Sequence, residues 1–290
     1  VRQLAASGCR WIASGEGVLR GTLKQAAPAE QARPRAAYRP WRLDGAPGLT
    51  LFFRDERLSD MIGFEYAKWH GQDAARHFVG ALEAILADTP EGERPERPVV
   101  SIIMDGENAW EHYPYNAYYF FEDLYALLEK HPQIRTTTYR ELLDREPAPA
   151  AAPLPGLVAG SWVFGTLSTW IGDADKNRAW ELLCAAKQGY DLVMASGRLD
   201  ARQQAAASAQ LAICESSDWF WWFGDYNPAP AVASFDQLFR RNLVNLYRLL
   251  QLAPPPELDV PISAGLREDA TARSGNASGT MRRAQEASSS

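Results

Sequence analysis

A chain of 290 residues is long enough for one large domain or two modest ones, with a sizeable core. Its formal charge of −6 carries no basic excess, which argues against nucleic acid and anionic membrane as partners, and no stretch approaches the eighteen or more apolar residues of a spanning helix. Aromatics are 11% of the residues, with ten tryptophans, too many for a disordered chain.

The opening "VRQLAASGCRWIAS" starts inside a periodic segment, with Val1, Leu4 and Ala5 on one helical face. Helices rarely begin without a cap, so the expectation is a fragment whose start has been cut away. "CRWIAS" reads as a short buried strand and is followed by a short helix near Glu16 to Leu23. After the Pro/Ala-rich loop "KQAAPAEQARPRA", "LTLFFR" (Leu49 to Arg54) reads as a second strand. "LSDMIGFEYAKWHG" and "DAARHFVGALEAILAD" are predicted helical, the latter with Ala75, Phe78, Leu82 and Ile85 near one stripe. "PVVSIIMD" is nearly continuous in apolar residues, which predicts a third, parallel strand buried on both faces. The helix "NAYYFFEDLYALLEKH" follows, with Asn116 as its expected cap and Phe121, Leu124, Tyr125 and Leu128 inward.

Alternating strands and helices predict an α/β fold with a parallel sheet over residues 1–145. "REPAPAAAPLPGLVAGS" reads as a linker, and beyond it, over 146–252, come helical segments only. "ADKNRAWELLCAAKQG" is expected to end at Gly189, and "DARQQAAASAQLAICES" runs into an aromatic stretch. In "SFDQLFRRNLVNLYRLLQ", Ser234 and Gln237 suggest a capping box, with Phe235, Leu238, Phe239, Leu246 and Leu250 on one face. The tail 253–290 is Pro-rich and then Ser/Ala/Gly/Arg-rich, and is expected to be disordered. Cys9, Cys184 and Cys214 are odd in number and lack a CxxC, so they read as reduced, buried thiols of a cytoplasmic protein.

Two stretches carry chemistry. In "IIMDGENAWEHYPYN", Asp105 falls where the third strand should end, the rim on which an α/β barrel carries its catalytic groups. An ordinary Asp-Gly turn is the plainer reading, but Glu107, Asn108, Trp110, Glu111 and His112 follow closely. Paired carboxylates are the working parts of most glycosidases, and Glu107 next to Asp105 could raise the pKa an acid catalyst needs. The second stretch, "SDWFWWFGDYN", places five aromatics in a row from Trp219 to Phe223, between Asp218 and Asp225. It suits either a packed corner between helices or a sugar platform, in which indoles stack on pyranose faces and carboxylates accept hydroxyl hydrogen bonds. Arg54 and Asp55 either hold sugar hydroxyls, orient Asp105 or form a rim ion pair; Asp60 reads as a cap or ion pair. Trp162 and Trp170 fit packing as well as binding, and Trp180 reads as core. The four histidines, His70, His77, His112 and His131, show no HxxxH or HxH pair, so no metal is expected.

Together, "MDGENAWEHYPYN" and "ESSDWFWWFGDYN" resemble glycoside hydrolase family 57, the α-amylase and amylopullulanase type of α-glucan enzyme. "FFRDERLSDMIGFEYAKW", "GSWVFGTLSTWIGDADKNRAWELL" and "FDQLFRRNLVNLYRLL" also resemble that family, in its order. The resemblance implies the C-terminal part of a (β/α)7 barrel, followed by an α-helical bundle that closes over the active site. It also implies a retaining mechanism without a cofactor, acting on an α-glucan oligo- or polysaccharide. Asp105 matches the family's acid/base; Arg54, Asp55, Glu107, Trp110, Asp218, Trp221, Trp222 and Asp225 are the expected substrate-binding residues. The nucleophilic Glu belongs to a "WPxEGS"-like motif that should precede "GCRWIAS" and has no match in this sequence; Glu16 lies after the strand, where the family has none. Asp173 replaces an expected His. The alternative is a non-catalytic carbohydrate-binding relative.

Overall fold

The computed structural model describes residues 1–26, 35–88, 98–107 and 109–265. They form two compact units, Val1–Thr166 and the residues from Leu167 onward.

The first unit is α/β. Helix α1 (Arg2–Ala6) leads to strand β1 (Trp11–Gly15) and helix α2 (Glu16–Ala26). Strands β2 (Trp41–Leu43) and β3 (Thr50–Arg54) precede helices α3 (Glu56–Asp60) and α4 (Gly71–Ala87). Helices α5 (Tyr118–Glu129) and α6 (Tyr139–Leu143) and strand β4 (Ala152–Leu154) complete the unit. The sheet order is β1-β3-β2-β4, with β1 parallel to β3, β2 antiparallel to β3, and β4 parallel to β2.

β3 is buried on both faces, as a central strand must be. Leu51 and Phe53 join Val18, Leu19 and Leu23 of α2, together with Trp41 and Leu154, in one core. Phe52 points the other way and stacks on Tyr139 at 4.2 Å. A second core packs α4 against α5 through Ala75, Phe78, Phe120 and Leu124, with Leu58, Ile62 and Tyr66.

Several expectations change. β1 is an edge strand, not a buried one: Trp11 is 43% exposed because only β3 flanks it among the described residues. "PVVSIIMD" forms no strand; Ser101 makes a single parallel bridge to Arg54. The cause is β2, which went unnoticed in the sequence. It pairs with Thr50 and Leu51 and so takes the flank of β3 opposite β1, leaving only the carboxyl end of β3 open. "REPAPAAAPLPGLVAGS" is not a free linker, because it supplies β4, and the first compact unit runs to Thr166. Asn116 does not cap α5: Ala117 holds that position, and Tyr115, Asn116 and Ala117 all have positive φ. The helix buries Phe120 and leaves Tyr125 54% exposed.

The second unit is helical: α7 (Ala174–Ala195), α8 (Ala201–Cys214), α9 (Asp218–Trp222) and α10 (Ala229–Leu249). α7 passes straight through Gly189. α10 begins behind Pro228, so Ser234 and Gln237 are interior to it and form no capping box. Leu238 is exposed, while Phe239, Leu243, Leu246 and Leu250 are fully buried. Residues 253–265 are ordered against α10, with Leu258 and Ser263 buried; the expected disorder over 266–290 lies outside the described residues. Of the cysteines only Cys214 is buried, whereas Cys9 and Cys184 are exposed; all three are free.

Candidate functional site

Gly15 and Arg54 are register partners, so the carboxyl ends of β1 and β3 coincide, and Glu16, Asp55 and Glu56 follow directly. Asp55 is 1% exposed. Its Oδ1 accepts the Leu58 N–H at 2.7 Å, which caps α3, and its Oδ2 accepts the Tyr38 hydroxyl at 2.7 Å. Both oxygens are therefore engaged inside the protein. Glu56 Oε1 accepts the Gly17 N–H at 3.1 Å. Glu16 is pushed up to about 7, first by burial and then by the neighbouring charges of Asp55 and Glu56.

Arg54 is buried and forms an ion pair with Asp60 at 2.7 Å. Its guanidinium also faces the ring of Trp162 at 5.9 Å. Trp162 belongs to a loop that approaches β1 and α2 closely. A Cβ on Gly15 would lie 2.7 Å from Trp162 Cα, and one on Gly17 would lie 2.9 Å from Gly165 Cα.

Asp105 lies four residues beyond Ser101, at the same end of the sheet, and is half-buried. Gly106 and Glu107 are exposed, and Asn108 lies outside the described residues. Trp110 closes the turn by donating its indole N–H to Gly106 O at 3.2 Å, and its ring packs on Phe121 at 4.9 Å. Half of this indole's role is thus core. Glu111 and His112 are exposed and 3.8 Å apart. Among the described residues no three His, Cys, Asp or Glu side chains are grouped to hold a metal.

In the helical unit the aromatic run forms α9, not a strand, so its rings are spread around a helix. Phe220 is fully buried and stacks on Trp180 at 3.9 Å. Trp219 donates to Ile213 O at 2.9 Å, and Trp222 stacks on Phe235 at 4.6 Å. Trp221 is half-buried, with Trp170 at 6.0 Å. Asp218 and Asp225 are exposed. Phe220 and Phe223 are thus packed core, whereas Trp219, Trp221 and Trp222 are half-buried and Asp218 and Asp225 are exposed.

Lys176 organises this corner and was missed in the sequence. It is 1% exposed, and its ammonium donates to Thr169 O at 2.7 Å, to Tyr226 Oη at 2.6 Å and to Phe220 O. Tyr226 donates in turn to Trp221 O at 2.7 Å. Burial pushes the lysine down to about 8, against the opposing pull of Asp173 and Asp175. The signal was its spacing: Lys176, Ala179 and Leu183 fall at i, i+3 and i+7, on the buried stripe of α7. Asp173, where a His was expected, caps α7 by accepting from Asp175 N and Lys176 N.

The profile of glycosyl hydrolase family 57 matches residues 1–155. Two solved structures share the fold. One is a GH57 branching enzyme of the hyperthermophilic archaeon Thermococcus kodakaraensis in complex with glucose, at a TM-score of 0.62 and 17% identity. That match covers 74% of this chain and 46% of that one. The other is a GH57-type branching enzyme of Pyrococcus horikoshii, at a TM-score of 0.60 and 16% identity, covering 98% of this chain and 60% of that one. The chain thus spans about half the length of the solved relatives it matches.

Proposed function

The chain belongs to glycosyl hydrolase family 57, and from that premise we propose that it works on α-glucan chains by retaining chemistry, with Asp105 as the acid/base. The observation that carries this reading is the position of Asp105, at the carboxyl end of the sheet just beyond the parallel bridge of Ser101 to Arg54. A group there delivers a proton to a glycosidic oxygen and takes one back from the incoming acceptor, water for hydrolysis or a sugar hydroxyl for transfer. The names of the two branching enzymes favour transfer. Under this proposal the four-stranded sheet is part of a (β/α)7 barrel, and the helical unit carries sugar-binding residues of its own. Trp221 stacks on a glucose ring while Asp218 and Asp225 accept hydroxyl hydrogen bonds. At the other stretch, the exposed Glu107 and the half-buried Trp110 touch sugar. No position in these 290 residues matches the family's nucleophile motif, so the reading assigns acid/base and binding roles only. Two exposed free thiols suit a reducing cytoplasm.

The test is binding and turnover together. The purified chain should bind maltoheptaose, as followed by tryptophan fluorescence, and release no new reducing ends from amylose. Trp221→Ala should weaken binding by roughly five- to thirtyfold, the equivalent of about 1–2 kcal/mol for one stacked ring, with an unmoved melting temperature. Absence of binding would refute the glucan reading. Release of new reducing ends by the purified chain, or by its Asp105→Asn variant, would refute the assignment of roles.

A further inference from the structure

We propose that Arg54 and Ser59 are positioning residues, whose side chains replace a missing strand pairing and fix the backbone that carries Asp105. The inference rests on the reading of Asp105 as acid/base. Residues 101–104 run beside the end of β3 without a ladder, because β2 already holds that flank of β3 at Thr50 and Leu51. A half-buried extended segment still has to satisfy its N–H and C=O groups.

It does so through side chains. The Ile103 N–H donates to the Ser59 hydroxyl at 3.3 Å, and the Ile103 carbonyl accepts from Arg54 Nε at 2.8 Å. Both backbone groups of the residue two positions before Asp105 are thus held from α3 and β3. One position of true pairing remains, where the Asp55 N–H donates to Ser101 O at 2.8 Å. Ser59 is fully buried and Arg54 nearly so. Arg54 is itself held on two further sides, by Asp60 at 2.7 Å and by the Trp162 ring at 5.9 Å.

A guanidinium suits this task because its Nε–H and its Nη donors point in different directions within one rigid plane. One serves the Ile103 carbonyl and another serves Asp60. A lysine ammonium could keep the charge pairing with Asp60, but it lacks the fixed fork. Arg54 and Asp55 therefore act behind the substrate, not on it: the first sets the path of the Asp105 segment and the second caps α3.

The experiment uses the 290-residue chain and does not require turnover. Selective 13C labelling of aspartate carboxyls reports Asp105, assigned through Asp105→Asn, and amide hydrogen exchange reports Ile103. In Ser59→Ala, which removes one buried oxygen and changes little volume, the Ile103 amide should exchange about five- to tenfold faster, as expected for the loss of one hydrogen bond. In Arg54→Lys the Asp105 carboxyl resonance should move, while the β1–β3 ladder amides keep their protection. An Asp105 resonance unmoved from the parent chain in both variants, with Ile103 exchange unchanged, would overturn the inference. If Arg54→Lys unfolds the unit, Ser59→Ala alone decides. Added maltoheptaose separates the two ideas. If sugar leaves the Asp105 resonance of the parent chain unmoved, the acid/base reading fails, whereas the positioning of its backbone is judged by the variants.

Discussion

Replacing Lys176 by methionine tests how the aromatic corner of the helical unit is held. In the parent protein the ammonium is buried and all three of its protons go to acceptors: Thr169 O, Phe220 O and Tyr226 Oη. Burial moves the lysine from an ordinary 10.5 down to about 8 in the folded state. Between those values the unfolded chain holds the proton and the folded chain has released it, so stability rises with pH across that window. The full difference corresponds to about 3 kcal/mol. Methionine matches the stem in length but donates nothing. It leaves the Thr169 and Phe220 carbonyls without this donor, at about 2 kcal/mol each. Against the neutral amine, the variant should therefore lose about 4 kcal/mol. Near pH 7 the parent itself bears the burden of a buried charge, so the gap there should shrink to about 1 kcal/mol. Urea unfolding followed by tryptophan fluorescence, at several pH values from about 7 to 10.5, measures both limits. Other groups that titrate in this range are common to both proteins and cancel in the difference. A gap that stays constant with pH would show that the lysine is not buried with its charge in the folded protein, and the reasoning would fail.

Glu16 should show the opposite sign. Its folded value of about 7 lies above the ordinary 4.5, so the folded chain holds a proton that the unfolded chain has lost, and stability falls as pH rises through that window. Glu16→Gln should flatten this slope and make the variant the more stable of the two at pH 8, as read from unfolding midpoints at pH 5 and 8; equal slopes would refute the cause. Two glycine substitutions should also separate by sign in thermal melts. Gly17→Ala forces a Cβ to 2.9 Å from Gly165 Cα and should cost about 1–3 kcal/mol. Gly80→Ala, inside α4 with nothing within 4 Å, should stabilise by up to about 1 kcal/mol.

Much of this protein was decided by local pattern. The apolar run of β3, the helical stripe of α4 with Ala75 and Phe78, and the change to helices beyond the first unit all follow from residue periodicity, which depends only on neighbours along the chain. The motifs around Asp105 and Trp221 likewise pointed to the family without any coordinates. What the sequence did not determine is pairing. "PVVSIIMD" has the composition of a buried strand, yet whether it joins a ladder depends on which segment occupies the flank of β3, and β2, only three residues long, holds it. The same holds for α5, which follows three positive-φ residues and buries Phe120 while leaving Tyr125 exposed. Charges show the limit most clearly. Arg54, Asp55 and Lys176 look alike in sequence as charged residues, but each has its donors or acceptors consumed inside the fold by groups 3 to 50 positions away. Burial of a charge is tolerated only where such partners converge, and convergence is a property of the folded chain, not of any segment of it.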